Sequence, residues 1–420
     1  MNLLVATLGS AGDMYPYLRL ARDLQARGHR VTMVGPAAHA AMAQAAGVAF
    51  RGVGTEAEYV AVLDHPDVWH PRRGFAVLWN GLRDQLDGLA ELIAGQPAGE
   101  PVALLAHPLA LPSAALARAV RPGLRIVTAW LAPANLRSMQ DPLTIGALRI
   151  PRWMPMAWRA ALWRYADRRI IDPVALPSLN AARAQRGLPP VANFIAHLEA
   201  TADASLTLFP PWFAPTAADW PRPLFEGAFP VYDPHPAALS PELAAFLDAG
   251  PAPLVFTPGS GNRQARRWFE RALGATARLG RRAIFLTTHR EQVPPALPAH
   301  VLWQAYVPLR AILPRCAALV HHGGIGTSSE ALRAGVPQLV VPLAYDQFDN
   351  GVRLEALGVG RTLAGWRAGP RGLTSALTAL LDSPATRGAC ATAARRVAED
   401  AAIDVAQRAE QLLWPAPAAA

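Results

Sequence analysis

The sequence predicts an α/β protein made of two doubly wound domains that face each other across a cleft. Near the start, an apolar run, a glycine turn, a helical stretch and a second apolar run follow one another. The same alternation begins again at residue 254, after a proline-rich segment. The chain of 420 residues is also longer than one hydrophobic core usually supports. Repeated β-α-β units form parallel sheets with helices on both faces, and ligands bind beyond the carboxyl ends of such strands.

In the first predicted domain, residues 1–230, short apolar runs mark the strands. Leu18, Ala21 and Leu24 repeat at helical spacing after the first run, and Gly28 ends this helix. Helical segments separate the later runs in the same way. The predicted strands span residues 2–8, 31–35, 102–106 and 126–129.

Proline occurs six times between residues 229 and 253, where the periodicity lapses. We therefore expect a semi-rigid linker over residues 231–253, built around one short helix. A second domain, residues 254–388, follows, and residues 389–413 predict a terminal helix that packs back toward the first domain. The strands predicted for the second domain span residues 254–257, 283–286, 301–303, 317–321 and 338–342.

The composition excludes several classes of protein. With 52% hydrophobic and 17% charged residues the chain is not intrinsically disordered. All 40 basic residues are arginine, and they are scattered among 31 acidic residues, so we expect no nucleic-acid binding. The net charge of +9 still favours anionic surfaces or a phosphorylated substrate. The two cysteines, Cys316 and Cys390, are too few for a disulfide framework, which indicates a cytoplasmic protein.

The strongest chemical pattern is the segment from His321 to Glu330, which follows an apolar strand and opens a helix. Its glycines allow close approach to backbone N–H groups, and a helix N-terminus favours negative charge, so a diphosphate suits this turn. His322 and Thr327 offer further hydrogen bonds to phosphate, and Glu330 lies where it can accept bonds from ribose hydroxyls. The alternative is a glycine-rich strand-to-helix turn that Thr327 merely caps.

Three further patterns follow strands of the second domain. Asp346 beside Gln347 suits the hydroxyls of a sugar ring, although Asp346 could instead be the N-cap of the next helix. Tyr306 follows another strand and offers an aromatic face to a nucleobase, with a core or interface role as the alternative. The glycine-containing turn around Ser260 could close over the phosphates, although this pattern alone is weaker evidence.

In the first domain, Asp13 lies in a glycine turn after the first strand. A carboxylate there would repel a phosphate, so we interpret Asp13 as a general base for a hydroxyl nucleophile. The alternative is an N-cap role at the following helix. His107 ends another strand and is a second candidate base.

The segment 149–171 carries three tryptophans and six arginines. Met154, Trp158, Leu162 and Tyr165 share one helical face, which could cover an apolar acceptor or rest on a membrane surface. The alternative is that this face packs on its own domain.

The segment from His322 to Glu330, with Asp346-Gln347 and Asn350 after it, resembles the nucleotide-sugar signature of family 1 glycosyltransferases with the GT-B fold. The resemblance spans nearly the whole chain and implies two Rossmann-like domains. The stretch 209–230 and the turn 9–13 look more narrowly like the rhamnosyltransferases of rhamnolipid biosynthesis.

The resemblance implies roles for the donor-site residues and for the base. It places the nucleobase at Tyr306 and the backbone of Val307, the ribose at Glu330, and the sugar at Asp346 and Gln347. It implies Asp13 as the base, no metal ion, and no cofactor beyond the donor substrate. The implied diphosphate ligands are Ser260, His322, Gly326 and Thr327, and Gly324 belongs to the same nucleotide-sugar site. The acceptor-binding residues that we expect come from the helical face and the strand end described above, namely Trp158, Leu162, Tyr165 and His107.

The implied reaction moves L-rhamnose from dTDP-L-rhamnose to a 3-(3-hydroxyalkanoyloxy)alkanoate, with inversion, and gives a mono-rhamnolipid. Peripheral contact with the inner membrane or with an acyl-chain synthase is part of this expectation. A hexosyltransferase that uses a UDP-sugar and a sterol, polyketide or other lipophilic alcohol is the main alternative. Two further alternatives are a catalytically silent partner protein that binds a sugar nucleotide, and a 2-epimerase.

Overall fold

The computed structural model describes residues 1–96, 102–141, 144–145, 148–232 and 238–415. The chain divides into two units, one formed by Met1–Tyr232 with Ile403–Ala420 and the other by Asp233–Ala402. Each unit has its own parallel sheet and its own hydrophobic core.

The sheet of the first unit has seven parallel strands, and a separate antiparallel pair lies outside it. The sheet strands are β1 (Asn2–Ala6), β2 (Arg30–Pro36), β3 (Ala49–Val53), β4 (Val102–Ala106), β5 (Arg125–Trp130), β8 (Ala204–Thr207) and β9 (Leu224–Phe225), and the pair is β6 (Thr144–Ile145) with β7 (Leu148–Arg149). Their order in the sheet is β3-β2-β1-β4-β5-β8-β9. Leu4 of the central strand lies opposite Thr32 on one side and Leu104 on the other. The strand order reverses between β1 and β4, so this is the switch point where α/β sheets bind ligands.

Helices cover the sheet of the first unit, and their apolar faces form its core. Trp79 and Phe194 are fully buried there in a T-shaped contact with ring centroids 4.8 Å apart. The indole N–H of Trp79 donates to Ser178 Oγ at 2.9 Å, so its polar atom is satisfied. The helices are α1 (Ala11–Ala26), α2 (Ala40–Ala45), α3 (Glu56–Asp64), α4 (Gly74–Arg83), α5 (Leu86–Ala94), α6 (Leu111–Val120), α7 (Met156–Ala166), α8 (Asp172–Ala184) and α9 (Phe194–Thr201).

The sheet of the second unit has six parallel strands. They are β10 (Leu254–Thr257), β11 (Ala283–Leu286), β12 (Val301–Gln304), β13 (Ala318–His321), β14 (Gln338–Val340) and β15 (Gly360–Thr362). Their order is β12-β11-β10-β13-β14-β15, with the switch point between β10 and β13. At the carboxyl end of β13, His321 lies opposite Thr257 and Val340, so the turns after β10, β13 and β14 are neighbours.

Both faces of this second sheet are buried. Phe256 belongs to one apolar cluster, and its neighbour Val255 belongs to another, because successive side chains point to opposite faces. Burial on both faces explains why these strands are continuous apolar runs. The helices are α10 (Pro241–Asp248), α11 (Arg266–Leu279), α12 (Leu309–Ile312), α13 (Ile325–Ala334), α14 (Gln347–Ala356), α15 (Pro370–Leu381) and α16 (Pro384–Asp400).

The predicted fold class, two doubly wound Rossmann-like domains, is confirmed. Every strand predicted from an apolar run is present. Within the two parallel sheets the sequence prediction missed β3, β8, β9 and β15, and outside them it missed the pair β6 and β7. No helix among the described residues is both long and apolar enough to cross a bilayer.

The segment predicted as a linker, 231–253, differs from that expectation in its second half. The short helix predicted there is present as α10, but it buries Leu243 and Leu247 in the same apolar cluster as Val255, so this part belongs to the core of the second unit. Residues 233–237 of the predicted linker lie outside the described residues.

The single terminal helix predicted over 389–413 is two helices, α16 and α17 (Val405–Leu413). The break has a local cause, because Asp404 caps α17 by accepting the backbone N–H of Gln407 at 2.8 Å. Only α17 belongs to the first unit. There Arg27 forms ion pairs with Asp404 and Glu410 at 3.1 and 2.6 Å.

Candidate active site

Helix α13 begins at the glycine-rich turn with no side chain capping it. Gly324 is the N-cap residue, and Thr327 is the third residue of the helix, so the alternative that Thr327 caps this turn is wrong. The first N–H groups of an α-helix have no partner within the helix, and the positive end of the helix dipole adds to their field. The segment Ile325–Thr327 therefore presents backbone donors suited to an anion such as a diphosphate.

The His322 ring is held between two glycines. A Cβ atom on Gly259 would lie 2.6 Å from His322 Cε1, and one on Gly324 would lie 2.5 Å from Nε2, so neither position admits a side chain. Burial lowers the pKa of His322 to about 4, which makes the imidazole neutral at pH 7. Its buried Nδ1 has no hydrogen-bond partner among the described residues. A neutral imidazole at the start of α13 can donate one hydrogen bond to a phosphate oxygen.

His321 has a structural role that the sequence did not reveal. It is fully buried, its Nδ1 accepts the N–H of Gly323 at 3.2 Å, and its Nε2 lies 3.0 Å from Gln338 Oε1. Gln338 in turn donates to the carbonyl of Ser328 in α13 at 3.3 Å. Burial, and then the neighbouring His322, lower the pKa of His321 to about 3. His321 is therefore a neutral, buried residue whose hydrogen bonds fix the conformation of the glycine-rich turn.

The Asp346-Gln347 pair lies directly beside the glycine-rich turn. A Cβ on Gly323 would lie 2.9 Å from the carbonyl oxygen of Gln347, and Asn350 Nδ2 donates to the Gly323 carbonyl at 2.9 Å. Asp346 holds the N-cap position of α14, but its side chain caps no backbone N–H and instead accepts from Asn350 Nδ2 at 2.8 Å. The structure thus brings the predicted sugar-binding and diphosphate-binding residues together.

Tyr306 and Val307 lie after β12, at the edge of the second sheet. Tyr306 is 45% exposed, whereas Val307 is buried in one apolar cluster with Ala331 of α13. This cluster connects the predicted nucleobase position with the helix that carries Glu330. Glu330 accepts two hydrogen bonds from Arg333 on its Oε2, at 3.0 and 2.6 Å, so this oxygen is engaged by the protein. Ser260 lies in the turn after β10, whereas Gly326 and Thr327 belong to the first turn of α13, and Ser260 and Gly326 are exposed.

Asp13 belongs to the first turn of α1 in the first unit, and Ser10 is the N-cap residue there. One carboxylate oxygen, Oδ2, accepts the backbone N–H of Ser10 at 2.7 Å and its hydroxyl at 3.0 Å. Gly9 has φ +114°, and a Cβ there would overlap this oxygen. Asp13 therefore stabilises the start of α1. It does so with one carboxylate oxygen and from the third position of the helix, not as the N-cap residue.

The other oxygen of Asp13, Oδ1, faces His107. The two are 3.9 Å apart, measured to His107 Nε2, and the His107 side chain is 4% exposed against 34% for Asp13. His107 Nδ1 accepts the N–H of Leu109 at 3.2 Å, so the neutral ring carries its proton on Nε2. Burial lowers the pKa of His107, and the Asp13 carboxylate opposes that shift. Both candidate bases lie at the switch point of the first sheet, after β1 and β4.

The acceptor-binding residues proposed on α7 form an open face. Trp158 and Tyr165 are both 63% exposed, while Leu162 is half-buried. Arg137 holds α7 in place. Its guanidinium carbon lies 4.4 Å from the ring centroid of Trp163, and it forms an ion pair with buried Asp167 at 2.5 Å. The alternative that this face packs against its own domain is thus wrong for Trp158 and Tyr165.

Comparison with known protein families matches two separate parts of the chain. Residues 3–87 match the glycosyltransferase family 28 N-terminal domain, and residues 270–412 match the C-terminal domain of proteins like the erythromycin biosynthesis protein CIII. The O-mycaminosyltylonolide 6-deoxyallosyltransferase of Streptomyces fradiae is 31% identical over 96% of this chain and 94% of its own length.

Two solved structures share the architecture. The glycotransferase of kitacinnamycin matches with a TM-score of 0.75 at 22% identity, covering 98% of this chain and 99% of that chain. The spinosyn rhamnosyltransferase SpnG, solved with thymidine diphosphate, matches with a TM-score of 0.67 at 23% identity, covering 98% of this chain and 100% of that chain. Sequence similarity along nearly the whole chain and a common fold lead to one conclusion: this protein belongs to the GT-B glycosyltransferases and is an enzyme that uses a nucleotide sugar.

Proposed function

We propose that the protein transfers L-rhamnose from dTDP-L-rhamnose to a hydroxyl group of a lipophilic acceptor, with inversion at the anomeric carbon. The observation that carries this proposal is the uncapped start of α13 beside the neutral His322, which suits a diphosphate leaving group. The choice of thymidine and of a 6-deoxyhexose is supported by relatives. SpnG was solved with thymidine diphosphate and is named a rhamnosyltransferase, and the Streptomyces fradiae relative is named a 6-deoxyallosyltransferase.

The proposed reaction is a single displacement. The acceptor oxygen attacks the anomeric carbon while the bond from that carbon to the diphosphate oxygen breaks, and the transition state has oxocarbenium character. Asp13 Oδ1 takes the proton of the acceptor hydroxyl, since Oδ2 is already engaged by Ser10. Negative charge develops on the departing diphosphate, where the N–H groups of Ile325–Thr327 and His322 donate hydrogen bonds. The products are the rhamnoside and dTDP.

The acceptor that we propose is a 3-(3-hydroxyalkanoyloxy)alkanoate, which has two alkyl chains and a carboxylate. The exposed face of Trp158 and Tyr165 suits the chains, and exposed Arg164 and Arg168 nearby suit the carboxylate. Contact of this face with the inner membrane, or with an acyl-chain synthase that releases the acceptor, is part of the same proposal.

A second candidate acceptor is a polyketide lactone. It is favoured by the names of the relatives, since tylonolide and spinosyn derivatives appear in them. A UDP-hexose donor is the corresponding alternative on the donor side.

The test is to incubate the purified protein with dTDP-L-rhamnose or UDP-glucose, and with either acceptor, and to measure nucleotide release and product mass. We expect dTDP release only when dTDP-L-rhamnose and the hydroxyalkanoyloxyalkanoate are both present, with a product heavier by one rhamnosyl group. Transfer to the lactone alone would establish the second candidate acceptor. Donor binding without transfer to any acceptor would instead indicate a silent sugar-nucleotide-binding protein.

A further inference from the structure

Tyr345 has an unusual backbone conformation. Its φ is +57°, and it is the one non-glycine residue with positive φ among the residues that the structure describes. The left-handed region is uncommon for residues with a Cβ, and for a bulky side chain it is a genuine outlier. Such conformations persist where the surrounding structure enforces them, and they cluster at ligand-binding sites.

The turn around Tyr345 is fixed from both sides by α14. Gln347 Oε1 accepts the backbone N–H groups of Leu343 and Ala344 at 2.8 and 3.1 Å. Asn350 Nδ2 bonds both Asp346 Oδ2 and the carbonyl of the glycine-rich turn, as described above. These hydrogen bonds define the path of residues 343–347, and Tyr345 lies at the apex between them. The conformation is therefore imposed on Tyr345 by its neighbours.

A glycine would adopt this conformation without strain, so an aromatic residue here calls for another reason. Tyr345 is 37% exposed and is absent from the buried core. Burial raises the pKa of its hydroxyl, so the side chain is partly covered by the protein. The ring stands one residue before Asp346, the residue proposed to bind the donor sugar.

We propose that Tyr345 is a specificity-determining residue for the donor sugar, a proposal that rests on the proposed function. Its ring lies against the apolar face of the sugar that Asp346 and Gln347 bind, and it selects 6-deoxyhexoses over hexoses. The physical reason is the 6-hydroxyl group, which loses its water against an aromatic face and gains no hydrogen bond there. A 6-methyl group has no hydrogen bonds to water to lose, and it buries apolar surface against the ring.

The test compares three ligands by calorimetry, namely dTDP, dTDP-glucose and dTDP-6-deoxyglucose, which differ only by the sugar and its 6-hydroxyl. We expect the wild type to bind the 6-deoxy compound about 10- to 100-fold more tightly than dTDP-glucose. In Tyr345→Gly this ratio is expected to fall to within about twofold, with unchanged affinity for dTDP. Tyr345→Phe keeps the ring and is expected to keep the wild-type ratio.

Two controls make the result decisive. Glycine suits the left-handed conformation, so the Tm of Tyr345→Gly is expected not to fall, which shows that the variant is folded. A wild-type ratio retained in Tyr345→Gly, or an equal loss of affinity for all three ligands, would overturn the proposal. Because binding is measured without an acceptor, these outcomes are independent of turnover. Failure of the proposed function would appear separately, as absent transfer with intact binding.

Discussion

Replacing Asp13 with Asn is expected to lower turnover by about 10²- to 10⁴-fold while leaving the affinity for dTDP unchanged. The amide of Asn can still accept the N–H of Ser10 that Oδ2 accepts in the wild type at 2.7 Å, so the start of α1 is retained. It has no basic oxygen to take the proton from the acceptor hydroxyl. Turnover is measured as dTDP release under saturating donor and acceptor, and binding by calorimetry.

Ser10→Ala is the matched control for this variant. It removes the hydroxyl that donates to Asp13 Oδ2 at 3.0 Å but keeps the carboxylate, so it separates helix capping from base catalysis. We expect a loss of about 1 kcal/mol in the free energy of unfolding and turnover near that of the wild type. Full activity in Asp13→Asn would exclude Asp13 as the base. If His107→Ala lost turnover while Asp13→Asn kept it, the reaction would depend on His107 and not on Asp13.

Replacing His322 with Ala is expected to weaken dTDP binding and to lower turnover by about 10²- to 10³-fold, the usual effect of removing one preorganised donor. The neutral ring acts as a hydrogen-bond donor and not as a cation, since its pKa is about 4. Its contribution to dTDP affinity is thus expected to stay constant between pH 6 and 8. Calorimetry of dTDP binding across that range, with wild type and variant, measures both effects.

His300→Ala is the matched control for His322→Ala. His300 directly precedes β12, at the amino edge of the second sheet, whereas His322 follows β13 at the carboxyl edge. The His300 variant is expected to bind dTDP like the wild type. Unaltered dTDP affinity in His322→Ala would remove this histidine from the diphosphate site, and an affinity difference that grew between pH 8 and 6 would indicate a charged imidazole instead.

The sequence predicted those parts of the fold that depend on burial on both faces of a sheet. The strand around Phe256 is a continuous apolar run for that reason. Three of the missed strands lack this signal, because β3 contains Arg51 and Gly52 at the sheet edge, β15 contains Gly360 and Arg361, and β8 buries Ser205. The break before α17 was missed because the capping residue, Asp404, lies at helical spacing from other polar residues, as it would on the exposed face of a continuous helix.

The candidate site was predicted unevenly for a related reason. Local sequence identified the glycine-rich turn and the Asp346-Gln347 pair, because both follow apolar strands. Local sequence could not reveal the buried hydrogen bond between His321 and Gln338, because these residues are 17 positions apart in the chain. Nor could it show the left-handed backbone of Tyr345, since the residue type argues against that conformation. Such features depend on tertiary contacts and not on residue pattern.

A crystal structure of the protein with thymidine diphosphate tests the central claim most directly. The account predicts the diphosphate at the start of α13, with its oxygens within hydrogen-bond distance of the N–H groups of Ile325–Thr327 and of the His322 ring. A nucleotide bound elsewhere, with these donors left without phosphate contact, would contradict it.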